Sequence, residues 1–112
     1  MTDHYQLSVT ASSEQEAKRL AQLVVSQRLA ACAQVLGPMT STYWWNGRVE
    51  SADEWLCLVK TAGDRVDAAI AAVRAAHSNH TPEIIAVPIA TGDQDYLAWV
   101  TNETRPASSG EL

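Results

Sequence analysis

Phenylalanine is absent from this chain of 112 residues, so four Trp and three Tyr carry all of its aromatic bulk. Cysteine occurs twice, as Cys32 and Cys57, too few for the disulfide framework that staples small secreted domains. Basic residues are also scarce: 8 Lys and Arg stand against 13 Asp and Glu, a net charge of −5. Nucleic-acid binding rests on a basic surface, so this balance argues against such a partner and is compatible with cations. No apolar run approaches the roughly 18 residues of a membrane span. No basic segment followed by an apolar one marks a secretory leader. With both thiols reduced, the cytoplasm is the expected address.

What is present suits one globular domain. Hydrophobic residues make up 46% of the chain and charged ones 19%, enough to enclose a single core. Tyr5-Gln6-Leu7-Ser8-Val9 alternates and predicts a strand. Ser12 or Ser13 then caps a helix that carries Ala17, Leu20, Ala21 and Val24 and runs to about Leu29. Cys32 to Trp45 reads as extended, with a bulge or kink at Gly37-Pro38. Arg48 to Lys60 returns beside it, with a second bulge expected in the polar segment 50–54. Thr61-Ala62-Gly63-Asp64 opens a second helix with Val66, Ile70, Val73 and His77 on one stripe. Glu83 to Ile89 predicts a strand buried on both faces, with Pro88 marking an edge. Gly92-Asp93 caps a third helix, Gln94 to Asn102. Residues 1–104 form the expected domain, and Arg105 to Leu112 an expected disordered tail.

The order β-α-β-β-α-β-α makes this an α+β protein. Its first six elements follow the ferredoxin-like pattern, with two helices on one face of an antiparallel sheet. The other face stays bare. The hairpin Thr42-Tyr43-Trp44-Trp45-Asn46-Gly47-Arg48-Val49 sharpens the point. Asn-Gly favours a type I′ turn, which sets Trp45 opposite Arg48 and Trp44 opposite Val49. Adjacent strand residues face opposite ways, so the two Trp lie on opposite sides of the ribbon. One small chain has little to cover both sides, and a second chain is expected there.

Several segments then agree in order and spacing with a known family. Leu29-Ala30-Ala31-Cys32-Ala33, Thr42 to Gly47, Val59-Lys60-Thr61, His77 through Thr81-Pro82-Glu83-Ile84-Ile85, and Tyr96-Leu97-Ala98-Trp99 strongly resemble the CutA divalent-cation tolerance family. The resemblance covers about residues 5 to 104. It implies a homotrimer of ferredoxin-like subunits, PII-like in assembly, with sheets packed around a threefold axis. Long hairpins would reach onto neighbours, and clefts would open between subunits. Where the family usually has His-Pro-Tyr-x-x-Pro-Glu, this chain has His77-Ser78-Asn79-His80-Thr81-Pro82-Glu83. Val9 and Ala76 stand where some members carry a Cys and a second His.

The candidate metal ligands are His77, Cys32, Glu83 and His80. A thiolate suits Cu(I) or Zn, but a free Cys is as often a small buried hydrophobe. Cys57 is expected in the core. His77 ends the second helix, whose terminus would favour a charged imidazole. His77 and His80 alone are a weak pair, because a metal site needs three or four ligands. The resemblance places His77 and Lys60 beside the intersubunit cleft. Tyr43, Trp45 and Trp99 are the further cleft candidates, and Trp44 and Trp45 the candidates for the trimer interface. Lys60 and Glu83 could equally pair with each other.

The leading functional reading is a trimeric, non-catalytic protein of divalent-cation tolerance that binds copper-type ions, with Cu or Zn as the metal and no organic cofactor. The alternative is a PII-like sensor holding a small ligand in its clefts. An enzyme is disfavoured, since Thr10-Ala11-Ser12-Ser13 lacks the Arg of an anion loop. Nor does the chain carry a nucleophile elbow, P-loop or dinucleotide fingerprint.

Overall fold

The computed structural model describes residues 3–106. In chain order the elements are β1 (His4–Ala11), α1 (Glu14–Ser26), β2 (Cys32–Trp45), β3 (Arg48–Ala62), a 3-10 turn (Gly63–Arg65), α2 (Val66–Ala76), β4 (Ile84–Pro88) and α3 (Gln94–Glu103). One antiparallel sheet has the order β2-β3-β1-β4, the expected ferredoxin-like arrangement with an added helix. Alternation decides which face is covered. Leu7 and Val9 of β1, Cys57 and Val59 of β3, Leu20 and Val24 of α1, and Ala69 and Val73 of α2 form one buried cluster. Removing such apolar area from water contributes roughly 25 cal/mol per Å².

Local chemistry sets most boundaries. The Ser13 side chain accepts from the Glu16 N–H and starts α1. That helix stops at Ser26, short of the expected Leu29, because Arg28 turns to φ +62. The Leu29 and Ala30 amides then fold back onto the Val24 carbonyl. Asn46 and Gly47 adopt φ +51 and +76, the turn expected of Asn-Gly, and Trp45↔Arg48 and Trp44↔Val49 pair as predicted. The irregularity in this ribbon falls between Leu36 and Met39. The bulge expected at 50–54 is not there, since β3 pairs continuously opposite it. A 3-10 turn precedes α2, so the second helix begins at Val66, and His77 lies just past its end in an extended conformation. Asp93 accepts from the Tyr96 N–H and starts α3.

Two expectations about exposure change. Strand β4 is covered on one face only: Ile84 and Ala86 pack on the core, while Ile85 and Val87 are about half exposed. Arg105 was expected in a free tail but is anchored. Its guanidinium donates twice to the Asp64 carboxylate at 2.6 Å, and Nε donates to the Thr101 carbonyl at 2.8 Å. The Arg105 hydrogen bonds hold the Asp64 carboxyl below its usual range. The rest of the expected tail, residues 107–112, lies outside the described residues.

The uncovered face combines Gln6 and Ser8, Gln34 and Leu36, Leu56, Leu58 and Lys60, and Ile85 and Val87, as the strand registers require. α3 lies at one end of it. There the Tyr96 hydroxyl meets Cys32 Sγ at 3.4 Å, and Thr101 Oγ1 bonds His4 Nε2 at 2.7 Å.

Candidate functional site

The loop between α2 and β4 carries two of the candidate imidazoles, and its first residue is the best enclosed. The His77 side chain is wholly out of solvent. Nε2 lies 2.7 Å from the Thr10 carbonyl, which can only accept, so Nε2 carries the proton and donates. Nδ1 then accepts from the Asn79 N–H at 3.0 Å. The resemblance sets this imidazole beside an intersubunit cleft; within the single chain both of its nitrogens are already engaged.

Beside it lies a residue that the sequence reading did not single out. Glu16 is 8% exposed. It accepts from the Ser78 N–H at 2.9 Å and the Ser78 hydroxyl at 3.0 Å, and lies 3.4 Å from Arg19 Nη2. The Ser13-x-x-Glu16 spacing was the available signal, but it suggests a carboxylate folded back on its own helix. Here the carboxylate reaches across to the loop. Burial acts to raise the Glu16 carboxyl, but the two Ser78 hydrogen bonds, with the Arg19 guanidinium nearby, hold it below the ordinary value. A carboxyl lowered on folding stabilises fully above its unfolded value of 4.5, and loses that contribution as pH falls through the lower folded one. Glu16→Gln is therefore expected to cost about 1–3 kcal/mol at neutral pH and to flatten the acid limb of the stability profile. Urea unfolding of both proteins between pH 3 and 7 would check this, and parallel profiles would refute it.

The other candidates separate. Cys32 pairs with Lys60, and Lys60 with Gln6, while His77 binds at Thr10. Gln6 and Thr10 are four residues apart along β1, about 13 Å at a strand's rise. Cys32 and His77 thus occupy different parts of the chain. Cys32 Sγ is held by the Tyr96 hydroxyl. That hydrogen bond, with burial, pushes the Tyr96 hydroxyl up to about 12. Tyr96 in turn packs on Trp99 at 5.6 Å between ring centroids. Cys57 lies in the core as expected, its thiol pushed up to about 11 by burial despite nearby Lys60. Lys60 and Glu83 do not pair: Lys60 Nζ donates to Gln34 Oε1 at 2.6 Å, while the Glu83 carbonyl accepts from Thr10 N–H at the other end of β1. His80 and Glu83 are exposed. Among the described residues, no three His, Cys, Asp or Glu side chains converge on a point that could hold a metal, so a single chain does not fit a closed metal cage.

The aromatic candidates also divide. Lys60 and Trp99 lie toward the Cys32 end of the sheet, whereas Tyr43, Trp44 and Trp45 end a strand of 14 residues, about 40 Å away at 3.3 Å per residue. They can line one cleft only if two chains contribute. Trp44 is 74% and Trp45 56% exposed in the single chain. An open groove of about 570 Å³ runs between α1 and the edge of β2, bordered by Lys18, Gln22, Val25, Cys32 and Val35.

Residues 5–103 match the family model of the CutA1 divalent ion tolerance protein. The chain is 40% identical over 97 residues to Protein CutA 1, chloroplastic, of Oryza sativa subsp. japonica, covering 87% of this chain and 55% of that one. It is 40% identical over 96 residues to the divalent-cation tolerance protein CutA of Thermus thermophilus, covering 86% of this chain and 93% of that one. The chain thus spans about half the length of the plant and mammalian relatives it matches. Among solved structures, CutA from Xylella fastidiosa is similar with a TM-score of 0.90 at 36% identity, over 93% of this chain and 100% of that one. The periplasmic divalent cation tolerance protein CutA from Archaeoglobus fulgidus is similar with a TM-score of 0.88 at 35% identity, over 91% and 99%.

Proposed function

The chain belongs to the CutA1 divalent ion tolerance family, and on that premise we propose that it is a non-catalytic, copper-type divalent-cation-binding protein that works as a cytoplasmic homotrimer. The observation that carries the assembly is the uncovered apolar surface. Leu36, Ile85 and Val87 on the open sheet face, and Trp44, Trp45 and Val49 on the projecting hairpin, are about half exposed or more in one chain. The molecule measures 52 × 31 × 22 Å, so the hairpin forms an arm with no helix of its own to cover it. Apolar surface of this extent marks an interface, and copies of the same chain are the occupant. The cytoplasmic address rests on the two free thiols.

The cation contact we propose uses exposed His80 and Glu83, with the remaining ligands of a Cu or Zn ion, Cys32 among them, supplied across subunits. Lys60, Tyr43, Trp45 and Trp99 then line the cleft between copies. Sedimentation at low micromolar concentration is expected to give a species near three times 12.1 kDa. Calorimetry with Cu(II) and Zn(II) is expected to show at least tenfold weaker binding in a His80→Ala, Glu83→Ala double variant. A monomer would defeat the assembly reading, and equal binding would remove both donors. The groove beside Cys32 supports a second reading, a PII-like small-ligand sensor. A wild-type trimer that binds neither ion but takes up a small metabolite would favour it.

A further inference from the structure

We propose that His77 is an internal latch, held as the Nε2–H tautomer, that positions the loop bearing His80 and Glu83 and stays out of any cation site. The positioning stands on the structure alone, whereas the exclusion from a cation site rests on the cation reading above. A neutral imidazole has one N–H and one lone pair. The Thr10 carbonyl takes the N–H at 2.7 Å, and the Asn79 N–H takes the lone pair at 3.0 Å. A metal at Nδ1 would orphan the Asn79 amide. A metal at Nε2 would break the bond to β1 and move the proton to Nδ1, where it would face the Asn79 N–H. Thr10 is buried, so leaving its carbonyl unpaired is the costly part of this exchange.

The surroundings close the remaining route. The ring is fully enclosed. Among the described residues, the carboxylate that comes within 4.0 Å of the ring is Glu16, with Oε2 that far from Nδ1, and both its oxygens already accept from Ser78. Arg19, the neighbouring cation, pairs with Glu16 and donates to the Ala76 carbonyl at 3.2 Å. His77, Glu16 and Ser78 together tie the end of β1, the first turn of α1 and the end of α2 to the start of one loop. Three residues further along the chain that loop turns His80 outward to solvent, and it then delivers Glu83 to β4. The latch therefore acts on a cation through the donors it positions.

The test uses the full chain. Imidazole ¹⁵N–¹H NMR of the wild type should show a slowly exchanging His77 Hε2, which persists when Zn(II) is added past one equivalent per chain. His77→Ala should lower the melting temperature. His77→Gln, whose amide N–H can reach the Thr10 carbonyl but which lacks an imidazole lone pair, should recover much of it. His77→Gln should bind Zn(II) and Cu(II) within about twofold of wild type, whereas His77→Ala, which releases the loop and its donors, should bind both more weakly. The proposal is overturned by an Nδ1–H tautomer in the metal-free protein, or by loss of the His77 Hε2 signal at one equivalent of Zn(II). It is equally overturned by a His77→Gln protein that folds as the wild type does and binds tenfold more weakly. If the wild type binds neither ion, the cation reading fails, while the tautomer and the Gln rescue still decide the latch.

Discussion

Replacing Trp44 and Trp45 together by Ala is expected to convert the proposed trimer to monomers at low micromolar concentration and to lower the melting temperature by many degrees. In one chain these side chains are 74% and 56% exposed. Truncating residues this exposed in a protein that works as a monomer would change stability by about 0.5 kcal/mol or less. At a packed interface each Trp truncation costs about 3–5 kcal/mol. The two possibilities therefore differ several-fold in size. At about 1.4 kcal/mol per decade, even one such loss weakens association at least a hundredfold. The register sharpens the expectation, because Trp44 opposite Val49 and Trp45 opposite Arg48 place bulk on both sides of the ribbon. A trimer whose folding is linked to assembly melts at a temperature that depends on protein concentration. Sedimentation and concentration-dependent melting of both proteins read the result. An unchanged trimer with an unchanged melting temperature would sink the assembly role of this hairpin.

The second large effect is expected at Gly37. Its φ of +153 lies where L side chains rarely go. A Cβ there would sit 2.5 Å from Trp55 Cδ1 and 2.8 Å from Cγ, with the Glu54 carbonyl oxygen at 3.1 Å. The clash falls on Cγ and Cδ1, at the root of the Trp55 side chain, so moving the far end of the ring cannot relieve it. Gly37→Ala is thus expected to cost about 2–4 kcal/mol, combining strain with overpacking. Gly47 is the matched control. Its φ is +76, but nothing lies within 4 Å of a Cβ placed there. Gly47→Ala should cost only the left-handed strain, about 1–2 kcal/mol. Urea midpoints of the two variants give the comparison, and equal losses would refute the steric part of the account.

The sequence by itself determined the element order, the hairpin register at Asn46-Gly47, the cap at Asp93, and the alternation of β1, whereas it left the first cap open between Ser12 and Ser13 and read β4 as buried on both faces. The features it determined follow from contacts within a few residues and from the strand period of two, both of which are written locally. The membership of His77, Lys60 and Trp45 in family-like motifs was equally legible. What each side chain touches was decided by tertiary structure alone. Arg28 ends α1 early by taking a left-handed conformation that no glycine announces. Glu16 leaves its own helix for Ser78, 62 residues along the chain, and Lys60 chooses Gln34 over Glu83. His77 fits the helical stripe by spacing, yet its ring closes onto Thr10, 67 residues away. A buried polar atom must find a partner or pay for its desolvation. Which partner lies within 3 Å is set by how the strands and helices dock, and no local pattern records that distance.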